Sequence, residues 1–325
     1  MSQPGERRGH MLILGGRDQP RRGQSQRPGW HLQQLIDAAR RQNVQIELAD
    51  YETVVGRVTD SVSIRLAHVE SVDGASSCSQ DWLNYDAILT RTMPAGTLEQ
   101  ITFRLAALHA HVHRRGVSGH SSNVFNRPAS LELAIDKFAA LSRASVLGLP
   151  TPPTAVCQSR DAAMEAFERL GGDVVVKPVF GGEGRGVMRV REPELAWTTF
   201  STLVGLGSVC YVQQFIRPGG ADTRVLVIGE RIWGIRRTND QDFRTNVRGG
   251  GKAQLVEVDS QCATWARVLC DDLELDYAGV DFIESNGDAG WMFLEVNAIP
   301  GWRGAQSVIQ ESLAGEIVAM MRERS

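Results

Sequence analysis

Apolar and polar positions alternate along the chain in the rhythm of an α/β protein. Residues 11–14 are an unbroken apolar run, Gly15-Gly16 and a basic loop follow, and residues 30–41 carry apolar side chains at three-to-four spacing before residues 44–48 return to a strand pattern. This predicts a βαβ opening. Alternation over residues 61–67 and the apolar Ala87-Ile88-Leu89 add strands, and residues 98–115 have the period of an amphipathic helix. A Rossmann-like unit is therefore expected over residues 1–122. Gly15-Gly16 lacks the full G-x-G-x-x-G, so a tight turn explains it as well as a dinucleotide loop.

A second strong helical pattern covers residues 131–147 and is closed by Gly148 and by Pro150, Pro152 and Pro153, which cannot continue a helix. A new module begins there. A strand near residues 154–157, a helix from Ser159 with Asp161 in its first turn, and two strands flanking a glycine loop come next. Strands are expected at 211–216, 223–228 and 231–237, a helix at 260–270, then a terminal strand pair and a helix from about Ser307. The predicted class is α/β, with an α+β second part divided into residues 123–212 and 213–325.

Composition narrows the function. A net charge of −3 argues against general nucleic-acid binding and favours small-molecule or protein substrates. The five cysteines are odd in number and include no C-x-x-C pair, which disfavours a disulfide framework or a zinc site and predicts a reducing cytoplasm. Residues 1–9 are polar and expected to fray, and no apolar run approaches a bilayer span, so a soluble protein away from membranes is expected.

Three polar constellations carry chemistry. In the strand around Glu295 and Asn297, alternation sends Met292, Leu294 and Val296 inward and leaves the two oxygen-bearing side chains together, with Asp281 expected on a neighbouring strand. Two carboxylates and an amide oxygen suit magnesium. Taken alone, the same alternation describes a half-buried hairpin with its polar residues in water. Lys177 ends a run of valines just before Gly181, Gly182, Gly184 and Gly186; such a loop can lay backbone N–H groups on phosphate, or can be only a flexible hairpin tip. A lysine among valines is costly unless it meets an anion. Residues 240–251 put Arg244, Thr245, Asn246, Arg248 and three glycines into one loop, which reads as an anion contact or as a solvated loop. His109, His111 and His113 read as a surface helix end, not a metal site.

In their order along the chain, Lys137, Lys177, the glycine loop, Tyr211-Val212-Gln213-Gln214-Phe215-Ile216, Asp222-Thr223-Arg224, Phe243-Arg244-Thr245-Asn246, Asp281 and Glu295-Val296-Asn297 resemble the ATP-grasp superfamily and, more narrowly, the RimK-type α-L-glutamate ligases. The likeness covers about residues 85–325. It implies a magnesium-dependent, ADP-forming ligase that joins L-glutamate to a carboxylate acceptor through an acyl-phosphate. Under it, Lys137 and Lys177 reach nucleotide phosphates, Gly181, Gly182, Gly184 and Gly186 close over them, and Gln214 and Phe215 form the adenine hinge. Asp222 lies near the ribose, and Arg244, Thr245 and Asn246 contact the nucleotide. Asp281, Glu295 and Asn297 hold two Mg2+ ions, with Mn2+ an alternative. Lys177, Arg236, Arg237 and Arg248 serve the reaction. Family members commonly have glutamate where this chain has Gln214, which puts the side-chain contact at the base or ribose in doubt. Arg91 and Arg17 are expected to bind substrate, Arg91 because it follows a strand and Arg17 because it belongs to a cationic loop with Arg21, Arg22 and Arg27. The acceptor is a protein tail or a small molecule such as a pterin coenzyme, toward which Arg91-Thr92-Met93-Pro94 and Asn297-Ala298-Ile299-Pro300-Gly301-Trp302-Arg303 lean by likeness alone. A homo-oligomer, dimer or tetramer, is the family expectation. An ATP-grasp phosphotransferase and a non-catalytic nucleotide-binding regulator remain the competing classes.

Overall fold

The computed structural model describes residues 9–15, 28–67, 69–71, 76–77, 80–182, 184–245, 250–286 and 290–324. His10–Leu14 lies in the middle of a six-stranded sheet, parallel to Gln45–Ala49 on one side and to Ala87–Thr90 on the other, with Val124–Phe125 parallel beyond it. Met11 to Leu14 are at most 1% exposed, because a parallel strand covered on both faces has no polar side to offer. Helix Trp30–Arg41 turns Leu32, Leu35 and Ala39 onto this sheet and packs against the last helix, Leu313–Arg324. Helix Leu98–Val117 starts from a capping box in which Thr97 and Gln100 satisfy each other's backbone N–H groups. A three-stranded sheet of Val54–Val58, Val62–Leu66 and Gln80–Asp81 leans on that helix.

Two antiparallel sheets make up the rest. The first has the order Thr154–Cys157, Cys210–Gln214, Val174–Lys177, Met188–Val190, and is backed by helices Arg160–Arg169 and Pro193–Gly205 through Ala163, Phe167, Ala196 and Phe200. The second runs Lys252–Val256, Arg231–Thr238, Ala221–Ile228, Tyr277–Glu284, Trp291–Asn297. Helix Ser260–Asp272 covers one of its faces, packing Cys262, Ala266 and Leu269 against Val225, Val280 and Phe282. Among the described residues no helix is long and apolar enough to cross a membrane.

Three expectations change. The single helix over residues 131–147 is two helices, Pro128–Ile135 and Lys137–Val146, because Asp136 leaves helical geometry and its carboxylate accepts the N–H groups of Phe138 and Ala139. The terminal helix begins at Leu313: Gln306, at the end of the short helix Arg303–Gln306, accepts the Leu313 N–H and donates to Glu311 O, holding the intervening residues in a turn. His111 is buried rather than on a surface helix end. It meets Asn123 at 2.8 Å and lies edge-on to Trp82, and burial pushes its pKa down to about 4.

Candidate functional site

The two antiparallel sheets both contribute walls to an open cleft. One wall is cationic. Lys177, 8% exposed at the end of its valine strand, donates to Gln213 Oε1 at 2.7 Å, and burial lowers its pKa to about 8 against the opposing pull of Glu295. Gln213 is itself fixed by donating to Thr154 Oγ1 at 2.9 Å. The lysine thus has a neutral partner and faces the cleft, and among the described residues no anion is in contact with it. Lys137 enters from the first turn of its helix and donates to Gly181 O at 2.5 Å, tying the glycine loop to the helix. Gly181, Gly184 and Gly186 have φ of +135°, +69° and +74°, backbone conformations that a side chain would strain, so the loop's close turns depend on glycine.

At the strand end, Gln214 and Phe215 line the cleft, but the Gln214 N–H donates to Pro153 O and the Phe215 N–H to Asp173 O. Both expected hinge donors are already used. Phe215 is packed between the Arg189 guanidinium, 3.5 Å from its ring centre, and Phe243, edge-on at 6.0 Å. Gly219 permits this, since a Cβ there would lie 2.5 Å from Phe215 Cζ on a backbone with φ of +75°.

The opposite wall is acidic. Asp281 lies opposite Glu295 and Phe282 opposite Phe293, so Leu294 is an extra residue, a β-bulge that interrupts the alternation. Phe293 and Val296 therefore enter the core, whereas Leu294, expected inside, lines the cleft beside Glu295, and Met292 is only half-buried. Asp281 is gripped by Arg224 through two bonds of 2.7 Å and by Arg237 at 2.9 Å. Burial alone would raise its pKa, but the two guanidiniums outweigh it and hold the carboxyl below the usual range. Arg237 also holds Asp222 at 2.6 and 2.7 Å, and Asp222 accepts the Thr245 hydroxyl at 2.5 Å, which anchors the 239–245 loop to the sheet. Arg244 bends back onto Asp242 and reaches Val187 O at 3.5 Å beside the glycine loop.

The structure thus brings Lys137, Lys177, Gly181, Gly182, Gly184, Gln214, Phe215, Asp222, Arg237, Arg244, Thr245, Asp281 and Glu295 to one cleft. Asn297 adjoins Glu295, donating to Oε1 at 3.3 Å, while Gly186 ends the glycine turn just outside the lining. Arg236 is not brought in: one residue along the strand from Arg237, it points to the opposite face and pairs with Glu284 at 3.5 Å. Arg91 is buried elsewhere, against Trp302. Arg17, Asn246 and Arg248 lie outside the described residues. Sequence reasoning missed Gln213 and Arg224. Their signal was a polar residue on the same strand face as an expected site residue, since Val175 pairs with Gln213 two positions from Lys177, and Arg224 pairs with Asp281.

The donors fit a hard divalent cation. Among the described residues no three His, Cys, Asp or Glu side chains converge on a metal position; this set is Glu295, the Asn297 amide oxygen and what remains of Asp281. Three N–H bonds occupy most of the Asp281 lone pairs, whereas among the described residues Glu295 accepts only the long Asn297 contact and would be the open ligand.

The family model described as RimK-like ATP-grasp domain matches residues 134–321. A probable alpha-L-glutamate ligase of Legionella pneumophila (strain Corby) is 29% identical over 246 residues, covering 74% of this chain and 78% of that protein. The ribosomal protein bS6–L-glutamate ligase of Escherichia coli O139:H28 is 30% identical over 197 residues, 59% of this chain and 65% of that one. Among solved structures, the ATP-grasp ligase PsnB complexed with minimal precursor superposes with a TM-score of 0.69 at 18% identity over 97% of this chain and 98% of that one. A RimK domain ATP-grasp protein from Sphaerobacter thermophilus gives 0.62 at 19% identity over 97% and 100%.

Proposed function

Because the chain belongs to the RimK-like ATP-grasp family and is an ATP-grasp ligase, we propose that it forms an amide between the α-amino group of L-glutamate and a carboxylate acceptor at the expense of ATP. The observation that carries this is the single cleft whose one wall presents Lys137 and Lys177 and whose other presents Glu295, Asp281 and Asn297. The first wall suits phosphate oxygens and the second a magnesium ion. Relatives named alpha-L-glutamate ligase support glutamate as the amine, and a neighbour solved with Mg and ADP supports the same nucleotide and metal here.

In the proposed reaction an acceptor carboxylate oxygen attacks the γ-phosphorus and the bond to ADP breaks. The glutamate nitrogen then attacks the acyl carbon, loses a proton, and inorganic phosphate leaves. Lys177, held by Gln213 and desolvated, balances negative charge on the transferred phosphoryl group. Lys137 and the 181–186 turn cover the phosphates and limit access of water. Arg237 keeps Asp222 and Asp281 in place and stands at the cleft with them. Glu295, Asn297 and the remaining lone pair of Asp281 would hold magnesium, which when bound neutralises phosphate charge. With the Gln214 and Phe215 N–H groups occupied, the base edge would meet the Gln214 carbonyl and the Ile216 backbone, which also lines the cleft. Gln214 offers the ribose or base a neutral amide where relatives commonly have a carboxylate.

Purified protein, ATP, Mg2+ and L-glutamate should release ADP only when an acceptor from a panel of peptide tails and small polycarboxylates is added, with mass detection of a glutamate adduct. Glu295→Ala should lose well over a hundredfold in turnover, beyond the ~10–100-fold typical of a contact behind a metal ligand. ADP release that ignores omission of the amine would replace this reading with phosphotransfer to a hydroxyl. No release with any acceptor would favour a nucleotide-binding regulator.

A further inference from the structure

Among the described residues Arg91 is a buried cation without an anion. It follows strand Ala87–Thr90 at the carboxyl edge of the parallel sheet, where α/β proteins gather ligands. It is 6% exposed, its Nε has no hydrogen-bond partner, and among the described residues no carboxylate pairs with it. Its guanidinium carbon lies 4.6 Å from the centre of the Trp302 ring, and the phenol of Tyr277, itself neutral, is its other neighbour. A cation–π contact of this kind offsets only part of the cost of desolvating a charge.

Among the described residues the surroundings are short of negative charge. Trp302 is 1% exposed, and its indole Nε1 is also buried without a partner. His31 accepts the Trp302 backbone N–H at 3.2 Å, and burial, with Arg91 and Arg303 nearby, pushes its pKa down to about 3, so it stays neutral. Helix Trp30–Arg41, which bears His31 in its first turn, has no side-chain cap at Gly29 and no acidic residue in that turn. Its N–H groups and positive dipole end add to the same field. The exposed Arg303 lies over Trp30 at 5.8 Å on the rim. Trp302 comes five residues after Asn297, so this cluster sits where the strand bearing Glu295 leaves the cleft wall.

We propose that Arg91, Trp302, Arg303 and the first turn of helix Trp30–Arg41 form a carboxylate subsite that grips an acid group other than the one being activated. The Arg91 Nε–H and the Trp302 indole N–H, both without a partner among the described residues, match the planar pair of oxygens of a carboxylate. The role rests on the ligase reading, which supplies two sources of that chemistry: a carboxylate of the incoming L-glutamate, or a second carboxylate on the acceptor. On either source the subsite selects substrates with a remote acid group and orients them relative to the cleft.

Calorimetric titration of the full chain with L-glutamate and with glutarate, a dicarboxylate lacking the amine, tests the subsite without requiring turnover. At least one probe should bind, and Arg91→Met should weaken that binding about tenfold or more while affinity for a fluorescent ADP analogue is unchanged. Arg303→Ala should weaken it about threefold. Binding of L-glutamate alone assigns the amino acid's carboxylate, and binding of glutarate assigns the acceptor's. The subsite is overturned if wild type binds neither probe, or if Arg91→Met binds both as wild type does. Should Arg91→Met fail to bind the ADP analogue, Arg303→Ala decides, and unchanged affinities there overturn it. A failed ligase reading shows up separately, as intact binding without ADP formation.

Discussion

Lys177 shows how much one side chain's setting determines. The sequence marks it as a lysine that must meet an anion, but its partner in the structure is the Gln213 amide, a neutral group that holds the ammonium in position without neutralising it. Burial then brings its pKa from the ordinary lysine value to about 8. The folded pKa is below the unfolded one. Charge burial therefore reduces stability at neutral pH, and that cost is relieved as pH rises from 8 toward the unfolded value. A bound phosphate reverses the preference by favouring the charged form. Affinity for a fluorescent ADP analogue should accordingly hold steady to about pH 8 and fall above it, approaching tenfold per pH unit. In Lys177→Met the profile over that window should be flat and weaker throughout. An unchanged slope in the variant would assign the titration to another group. Gln213 was not legible because its role depends on strand pairing: only when Val175 lies opposite Gln213 do the two polar side chains share a face.

Elements were legible where pattern and burial agree. The apolar run of residues 11–14 and the three-to-four period of residues 30–41 both form the predicted elements, since one is covered on two faces and the other on one. They were misread where one polar side chain competes with the period. Apolar residues continue across Asp136 at helical spacing, yet its carboxylate closes on the N–H groups of Phe138 and Ala139 and starts a second helix. The break puts Lys137 in the first turn, where it reaches Gly181. Asp136→Ala should cost about 1 kcal/mol in urea unfolding and Asp136→Asn much less, because asparagine caps nearly as well. Nucleotide affinity should weaken in the alanine variant alone; equal affinity would mean that the cap does not position Lys137. The bulge at Leu294 is the same lesson in a strand. Alternation correctly placed Glu295 in the cleft, but an inserted residue sent Phe293 to the core in place of Leu294.

At the scale of the molecule, a buried asparagine helps to tie the parallel sheet to the site. Asn126, just past strand Val124–Phe125, donates to Tyr277 O and Ala298 O, each at 2.7 Å, and accepts the N–H groups of Asp276 at 2.6 Å and Tyr277 at 3.1 Å. All four capacities of the amide are used. Tyr277 opens the strand that carries Asp281, and Ala298 follows Asn297 directly, so the joint fixes both acidic strands against the parallel sheet. No periodicity marks this residue, because its partners are 150 or more positions away and are all backbone. Asn126→Ala leaves four backbone groups, three buried and one half-buried, without that partner, which predicts a loss of roughly 3–5 kcal/mol in urea unfolding. Asn126→Asp keeps the two accepted bonds but sets a carboxylate against two carbonyl oxygens, so it should be no better than alanine at neutral pH and should recover as the acid is protonated. If the joint aligns the two acidic strands proposed to hold magnesium, each variant also loses magnesium-dependent ADP affinity by more than its affinity for ADP alone. Equal losses with and without magnesium would confine Asn126 to stability.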